Sequence, residues 1–480
     1  MVFSSFEFLF RFLPAFLIIY FITPKKFRNA VLFLGSIAFY TYGEAQYVLL
    51  LLASVTVNYV IARSMYKTPE DGRGRRQAVL LVLALCYDFG MLFFFKYSGL
   101  TTKLPLGISF YTFQIAAYVI DVYRGIVPAE KSYVNLGTYL TMFPQLIAGP
   151  IVNYTEVSSC LKRRTVTARD FESGVRILVI GLGSKVIIAD RVGMLWNNVQ
   201  TIGFNSISTP LAWLGAVAYS MELYFDFAGY SMMAIGLGKM LGFQIPVNFR
   251  FPYISKSVTE FWRRWHMTLS FWFRDYVYIP LGGNRVSVLR WCFNMFVVWL
   301  LSGLWHGAGW NFALWGLYFG AFLSAEKLIG RKWKERSFKI ADISANNDSN
   351  GGNRENMFLT CVRNIIEHGY VLLVVLFSFV IFRVEGVREI KEQFLGLSGC
   401  YGNAMTPMAA YEIKSCLILL LIACAGATPF PAMWVQRLKN ANMWKKSGWL
   451  LQSCYILTGL VLATAFLLGS SVHPFLYFRF

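Results

Sequence analysis

The chain has 480 residues, of which 56% are hydrophobic, 17% aromatic and only 15% charged, with a mean hydropathy of +0.50. That balance excludes a string of soluble domains and predicts an all-α, polytopic transmembrane bundle. The net charge of +20, from 45 basic and 25 acidic residues, is scattered in short clusters between apolar runs. This excludes nucleic acid as a partner and fits the positive-inside bias of membrane loops together with anionic membrane lipids.

In chain order, residues 6–22 read as a first span. Glu7 and Arg11 precede its apolar run and Lys25, Lys26 and Arg28 follow it. This polarity is the reverse of a cleavable signal, so the N-terminus is expected outside. Residues 29–42 and 46–62 form two more spans turning at Gly43-Glu44, and 77–95 a fourth. Arg63, Lys67, Arg73, Arg75 and Arg76 place the loop between the last two in the cytoplasm.

Residues 105–124 carry Gln114 and Asp121 in an apolar helix, which predicts a helix facing other helices rather than lipid. Met142 to Pro150 holds two prolines and a glycine, so a continuous span is excluded there and a re-entrant or interfacial piece is expected. Lys162, Arg163, Arg164 and Arg169 follow on the cytoplasmic side. Residues 172–200 read as a helix half in the membrane, carrying Lys185, Asp190 and Arg191.

In the next apolar helix, 211–243, Glu222 and Asp226 stand four residues apart on one face. Such a pair can be an acid/base couple, a cation site or a structural clamp. A clamp on the arginines that follow is the favoured reading. Residues 259–285, TEFWRRWHMTLSFWFRDYVYIPLGGNR, present Phe261, Trp262, Trp265, Leu269 and Phe273 at the spacing of one amphipathic interfacial helix. Arg263, Arg264 and Arg274 on it are either snorkelling side chains or contacts for an anionic partner.

Residues 291–325 contain no Asp, Glu, Lys or Arg. The stretch is too long for one span of roughly 20 residues. Its centre, Ser302-Gly303-Leu304-Trp305-His306-Gly307-Ala308-Gly309-Trp310-Asn311, predicts two helical pieces joined by a break at His306. A break at membrane depth is tolerated where protein surrounds it. An ionisable residue there is a functional candidate, with a histidine bonded between helices as the alternative.

Residues 331–356, opened by five basic residues and closed by an Asn/Ser/Gly run, read as a disordered cytoplasmic loop. Spans near 358–383, 411–428 and 448–470 complete ten to twelve in all, and Arg437, Lys439, Lys445 and Lys446 mark one more inside loop. That count places the C-terminus outside. The eight cysteines include no CxxC pair, so neither a disulfide framework nor a zinc site is expected.

Four histidines limit the chemistry: His266, His306, His368 and His473. His368 and His473 lie in a loop edge and the tail and read as structural or surface groups. His266 and His306 lie in the most aromatic stretches, where a desolvated imidazole stays neutral and can take a proton. There is no GxSxG and no HExxH, and two histidines make a poor metal set. The residues describe a membrane enzyme or transporter with one or two buried histidines, without naming a substrate.

FWRRWHMTLSFWFRDYVYIPLGGNR (261–285) and SGLWHGAGWNFALWG (302–316) resemble the membrane-bound O-acyltransferases, most nearly the alginate O-acetylation branch. FITPKKFRNAVLFLGSIAFYTYGE (21–44), PLGISFYTFQIAAYVIDVYRG (105–125), FPQLIAGP (143–150) and LYFDFAGYSMMAIGLGKMLGF (223–243) support it, to about residue 325, with a core over 105–325. HMTLSFWFRDY is also similar to the branch that transfers D-alanine to teichoic acid. One departure is Met232, where relatives often carry Asp.

The resemblance implies one transmembrane domain over 1–480, with helices ringed around a thinned centre. It implies that His306 is the principal catalytic residue and His266 a second, across the same tunnel. It further implies a cytoplasmic-membrane enzyme that needs no bound cofactor or metal. Its donor would be acetyl-CoA or a thioester on an acyl carrier protein, its acceptor a polysaccharide. A separate extracytoplasmic acyltransferase of the SGNH type would complete the transfer. Arg263, Arg264 and Arg274 would then hold the anionic end of the donor. Two other readings stay open: a flippase without chemistry, which paired broken helices would favour, and a scaffold that has lost activity, which two retained histidines disfavour.

Overall fold

The computed structural model describes residues 2–66, 74–100, 103–203, 205–344, 353–440 and 442–469. Lys67 and Arg73, the run 345–352, His473 and the closing FLYFRF therefore lie outside the described residues. Regular structure among the described residues is helical throughout. The order is α1 (Phe8–Ile22), α2 (Arg28–Glu44), α3 (Val48–Met65), α4 (Arg75–Tyr97), α5 (Ile108–Arg124), α6 (Tyr133–Thr141), α7 (Phe143–Leu146), α8 (Tyr154–Lys162), α9 (Ala168–Gly183) and α10 (Asp190–Ile202). It continues with α11 (Thr209–Met240), α12 (Val258–Trp262), α13 (Met267–Phe273), α14 (Val288–His306), α15 (Trp310–Ser344), α16 (Asn353–Arg383), α17 (Val387–Ser398), α18 (Pro407–Gly426), α19 (Phe430–Asn440) and α20 (Asn442–Leu468).

Seven stretches among the described residues are long and apolar enough to cross a membrane: Lys25–Met65, Arg75–Tyr97, Val288–His306, Trp310–Gly330, Leu359–Arg383, Ala409–Gly426 and Gly448–Leu468. The first has 41 residues, enough for two crossings of roughly 20 each, and its helix breaks at Glu44 (φ −146°, ψ 56°). The ten to twelve spans expected from sequence also counted shorter pieces such as α1 and the 17-residue α5.

The described residues form two compact units. One contains Met1–Arg191, Glu222–Asn248 and Lys439–Phe480, the other Val192–Met221 and Phe249–Leu438. In the first unit α5 is buried along nearly its whole length, Gln114 and Asp121 included, as a polar-bearing apolar helix requires. It begins after Gly107 (φ 76°) and ends at Gly125 (φ 73°), where the left-handed backbone closes the helix. Met142 to Pro150 holds only the one-turn α7, and Phe143 there packs with Phe8, Phe12, Phe16 and Phe39 at 5.2 to 6.1 Å between ring centroids. Helices α9 and α11 meet backbone to backbone: a Cβ on Gly181 would stand 2.5 Å from Gly229 O, and one on Gly236 would stand 2.6 Å from Gly174 O.

In the second unit α14 and α15 form a helical hairpin. α15 then runs on to Ser344, so the polar segment read as a disordered loop is helical over 331–344 and again from Asn353. Lys, Arg, Glu and Ala are strong helix formers, and a span that is already nucleated extends through them into water.

Candidate active site

The predicted break at the centre of the uncharged stretch is where the backbone places it. Ser287 starts α14 by accepting a hydrogen bond from Arg290 N (3.4 Å), and the helix ends on His306. Gly307 is fully extended (φ −179°, ψ 171°), and α15 begins at Trp310. Glycines hold the two helices together. A Cβ on Gly303 would lie 2.2 Å from Phe312 O, and one on Gly316 would lie 2.2 Å from Trp299 O. Small residues allow this backbone contact between apolar helices.

The contact buries His306 to 3% exposure inside a cage of rings. Centroids of Trp305, Trp315, Phe382 and Phe312 stand 4.8, 5.0, 5.1 and 6.5 Å from its own. Phe382 comes from the far end of α16 and was invisible to sequence reasoning. Asn311 Nδ2 fixes it by donating to Phe382 O (2.8 Å), and Tyr318 Oη donates to Val374 O (3.0 Å) on the same helix.

His266 departs from the sequence reading. Residues 259–285 are not one amphipathic interfacial helix. They break into α12 and α13, and His266 sits in the break with left-handed backbone (φ 42°, ψ 52°). That conformation is uncommon for a residue with a Cβ and persists only where the surroundings impose it. Two features impose it here. The Glu326 carboxylate of α15 accepts from Val258 N (2.6 Å), Thr259 N (2.9 Å) and Thr259 Oγ1 (2.8 Å), pinning the start of α12. Trp262 then locks against Trp299 (4.6 Å), Phe319 (4.9 Å) and Trp315 (5.7 Å) of the hairpin. Phe261, Trp262, Trp265, Leu269 and Phe273 are accordingly buried, not interfacial.

His266 is 1% exposed. Its ring lies 6.1 Å from that of Trp305 and 6.5 Å from that of Phe249. It falls outside the seven candidate spans, and burial pushes its imidazole down to about 3, so it is neutral at working pH.

The three arginines do not gather at one point. Arg263 is exposed. Arg264 is paired with Glu260 one turn before it (2.8 Å) and donates to Arg250 O (3.1 Å). Arg274 forms a two-pronged pair with its neighbour Asp275 (2.7 and 3.0 Å). Arg274 lines a cavity of about 150 Å³ whose wall also includes Ser270, Tyr278, Trp299 and Ser302. Ser302 lies one helical turn before His306.

In the first unit Asp226 clamps a lysine. Lys185 Nζ is 2.5 Å from Asp226 Oδ1 and 2.6 Å from Asp190 Oδ1. A π-helical turn over Ser184–Ala189 carries Lys185, and the Gly181–Gly229 contact brings α9 close enough for it to reach α11. Glu222, one turn earlier on α11, is only half-buried.

The described residues thus place His306 at the end of one candidate membrane span and His266 beside the same indole. The model of the membrane-bound O-acyltransferase family matches residues 127–346. The chain is 41% identical over 351 residues to the probable alginate O-acetylase AlgI of Pseudomonas aeruginosa, covering 69% of this chain and 66% of that one. It is 34% identical over 396 residues to the peptidoglycan O-acetyltransferase of Helicobacter pylori, covering 72% and 74%. It is also 31% identical over 245 residues to the teichoic acid D-alanyltransferase of Bacillus subtilis, covering 48% and 60%. The chain belongs to the membrane-bound O-acyltransferase family, a family of multi-pass helical membrane acyltransferases.

Proposed function

We propose that the protein passes an acyl group, acetyl in the first instance, from a cytoplasmic thioester across the membrane for O-acylation of a cell-envelope or extracellular polysaccharide. The observation that carries this reading is the desolvated His306 at the end of α14, ringed by Trp305, Phe312, Trp315 and Phe382. Acetyl is preferred to D-alanyl because the alginate and peptidoglycan O-acetylating relatives match at higher identity and over more of the chain.

In this reading a hydroxyl oxygen attacks the thioester carbonyl while His306 takes its proton. The new C–O bond forms, the C–S bond breaks, and the imidazolium returns the proton to the departing thiolate. The apolar cage keeps water from competing as acceptor. His266 orients the donor thioester from the other side of Trp305. Arg274, at the cavity that reaches Ser302, meets the phosphate of a coenzyme A or carrier-bound donor.

The protein sits in the cytoplasmic membrane with its N-terminus outside. A separate extracytoplasmic acyltransferase of the SGNH type completes delivery to the polysaccharide. The test is purified protein in nanodiscs, offered acetyl-CoA, an acetylated carrier or a D-alanylated carrier with a soluble hydroxyl acceptor. Acetyl ester formation supports the reading. D-alanyl ester formation alone replaces it by the teichoic acid reading, and donor movement without any new ester replaces it by a flippase.

A further inference from the structure

The unit containing Met1–Arg191 holds a second site that shares no residue with the histidines. A cavity of about 740 Å³ opens where α1 gives way to α2 and where α8 ends. Lys25, Lys26 and Arg28 line it from the first junction, Lys162, Arg163 and Arg164 from the second. No Asp or Glu is among the described residues that line it. Six like charges around one space repel one another, and an anion between them reverses the sign of that energy.

The cavity has a built floor. Arg164 Nε donates to Tyr20 Oη (2.8 Å) and Leu241 O (3.1 Å), and its Nη1 to Asn29 Oδ1 (2.5 Å) and Cys160 O (3.2 Å). Asn29 Nδ2 is itself fixed on Asn135 Oδ1 (2.7 Å) and Leu161 O (2.8 Å). The guanidinium lies over the Phe243 ring at 4.5 Å. Its remaining nitrogen, Nη2, is buried and meets no acceptor among the described residues. A guanidinium locked in place with a spare buried donor is suited to a phosphate oxygen.

The neighbouring surface identifies the kind of phosphate. Ile22 and Phe27, which bracket Lys25 and Lys26, are 79% and 53% exposed, and Ile18 one turn earlier is 60% exposed. Inorganic phosphate has no use for an apolar flank beside its charge pocket. A phospholipid presents both at the same level of the membrane.

We propose that this cavity binds the headgroup of an anionic phospholipid, with Arg164 as the fixed phosphate contact, the five surrounding cations closing on it, and the acyl chains lying along α1 and Phe27. The test measures phosphatidylglycerol and phosphatidylcholine binding to the purified full chain by native mass spectrometry. It compares the wild type with a Lys25→Gln/Lys26→Gln/Arg163→Gln variant, all three being exposed side chains whose loss leaves the fold intact. Phosphatidylglycerol affinity is expected to fall at least about tenfold in the variant, with the weak phosphatidylcholine binding unchanged. Arg164→Lys, which keeps the charge and loses the fork, is expected to weaken the same lipid. Unchanged phosphatidylglycerol affinity in the triple variant overturns the proposal. So does equal wild-type affinity for the two lipids. Displacement of the lipid by coenzyme A or inorganic phosphate, lost in the same variant, would assign the cavity to a soluble phosphate compound instead.

Discussion

His266 and His306 stand against one indole: the Trp305 ring is 6.1 Å from the first and 4.8 Å from the second. Trp305 precedes His306 in α14, so the last turn of that helix positions one histidine directly and the other by contact. The Gly303 and Gly316 contacts that lock α14 to α15 therefore set the geometry of both rings.

Removing the shared indole is expected to separate the two histidines. Trp305→Ala should lower acyl transfer per folded molecule and destabilise the protein by ~3–5 kcal/mol through the cavity it leaves. Trp305→Phe, which keeps a ring, should retain more of both. Turnover and thermal unfolding of the two variants check this, and wild-type turnover in Trp305→Ala would contradict it.

Glu326 acts at a distance from the chemistry. Its carboxylate caps α12 through two backbone amides and one hydroxyl, and α12 leads into the left-handed turn at His266. Glu326→Gln keeps one acceptor and loses the charge, so a stability loss of ~1–2 kcal/mol is expected. The donor KM should rise more than kcat falls, because the capped segment carries the residue assigned to donor orientation. A steady-state titration of the donor checks the split.

The Lys185 cluster should behave as a buried ion pair. Asp226→Asn leaves Lys185, 3% exposed, paired with Asp190 alone, and is expected to destabilise by ~1.5–3 kcal/mol through the lost charge-assisted bond. Adding Lys185→Met should cost less than Lys185→Met does in the wild type, since Asp226 is then no longer left as a buried carboxylate without its cation. A double-mutant cycle by thermal unfolding in detergent measures the coupling, and additive losses would show that the pair does not act as a unit.

His266→Ala is expected to weaken the use of donor more than that of acceptor and to leave partial activity. Rate against donor concentration distinguishes this from a structural role, which predicts reduced folded yield and normal kinetics per folded molecule.

Much of the fold was legible in the chain. The glycines of Ser302 to Asn311 announce the break after α14, and Gln114 with Asp121 announces a buried α5, because polar groups and glycines in an apolar run have few places to go. The break at His266 carries no such mark. No glycine or proline lies between Phe261 and Phe273, and the aromatic spacing fits an unbroken amphipathic helix. The Glu326 cap and the Trp262 packing, both formed with distant parts of the chain, hold the segment that leads into the left-handed turn. Phe382 was hidden for the same reason, being brought to His306 by a helix with no motif of its own. Lys185 was visible, yet its pairing with Asp226 depends on the π turn and the Gly181–Gly229 contact, which spacing does not reveal.

The central claim is that His306 carries the proton in acyl transfer. The direct measurement is single-turnover transfer from a labelled thioester donor by His306→Ala in nanodiscs, at a concentration of folded protein matched to the wild type by thermal unfolding. A rate lower by ~10²–10⁴, with donor binding retained, is the result predicted for loss of a general base. Transfer at a rate near that of the wild type would contradict the assignment.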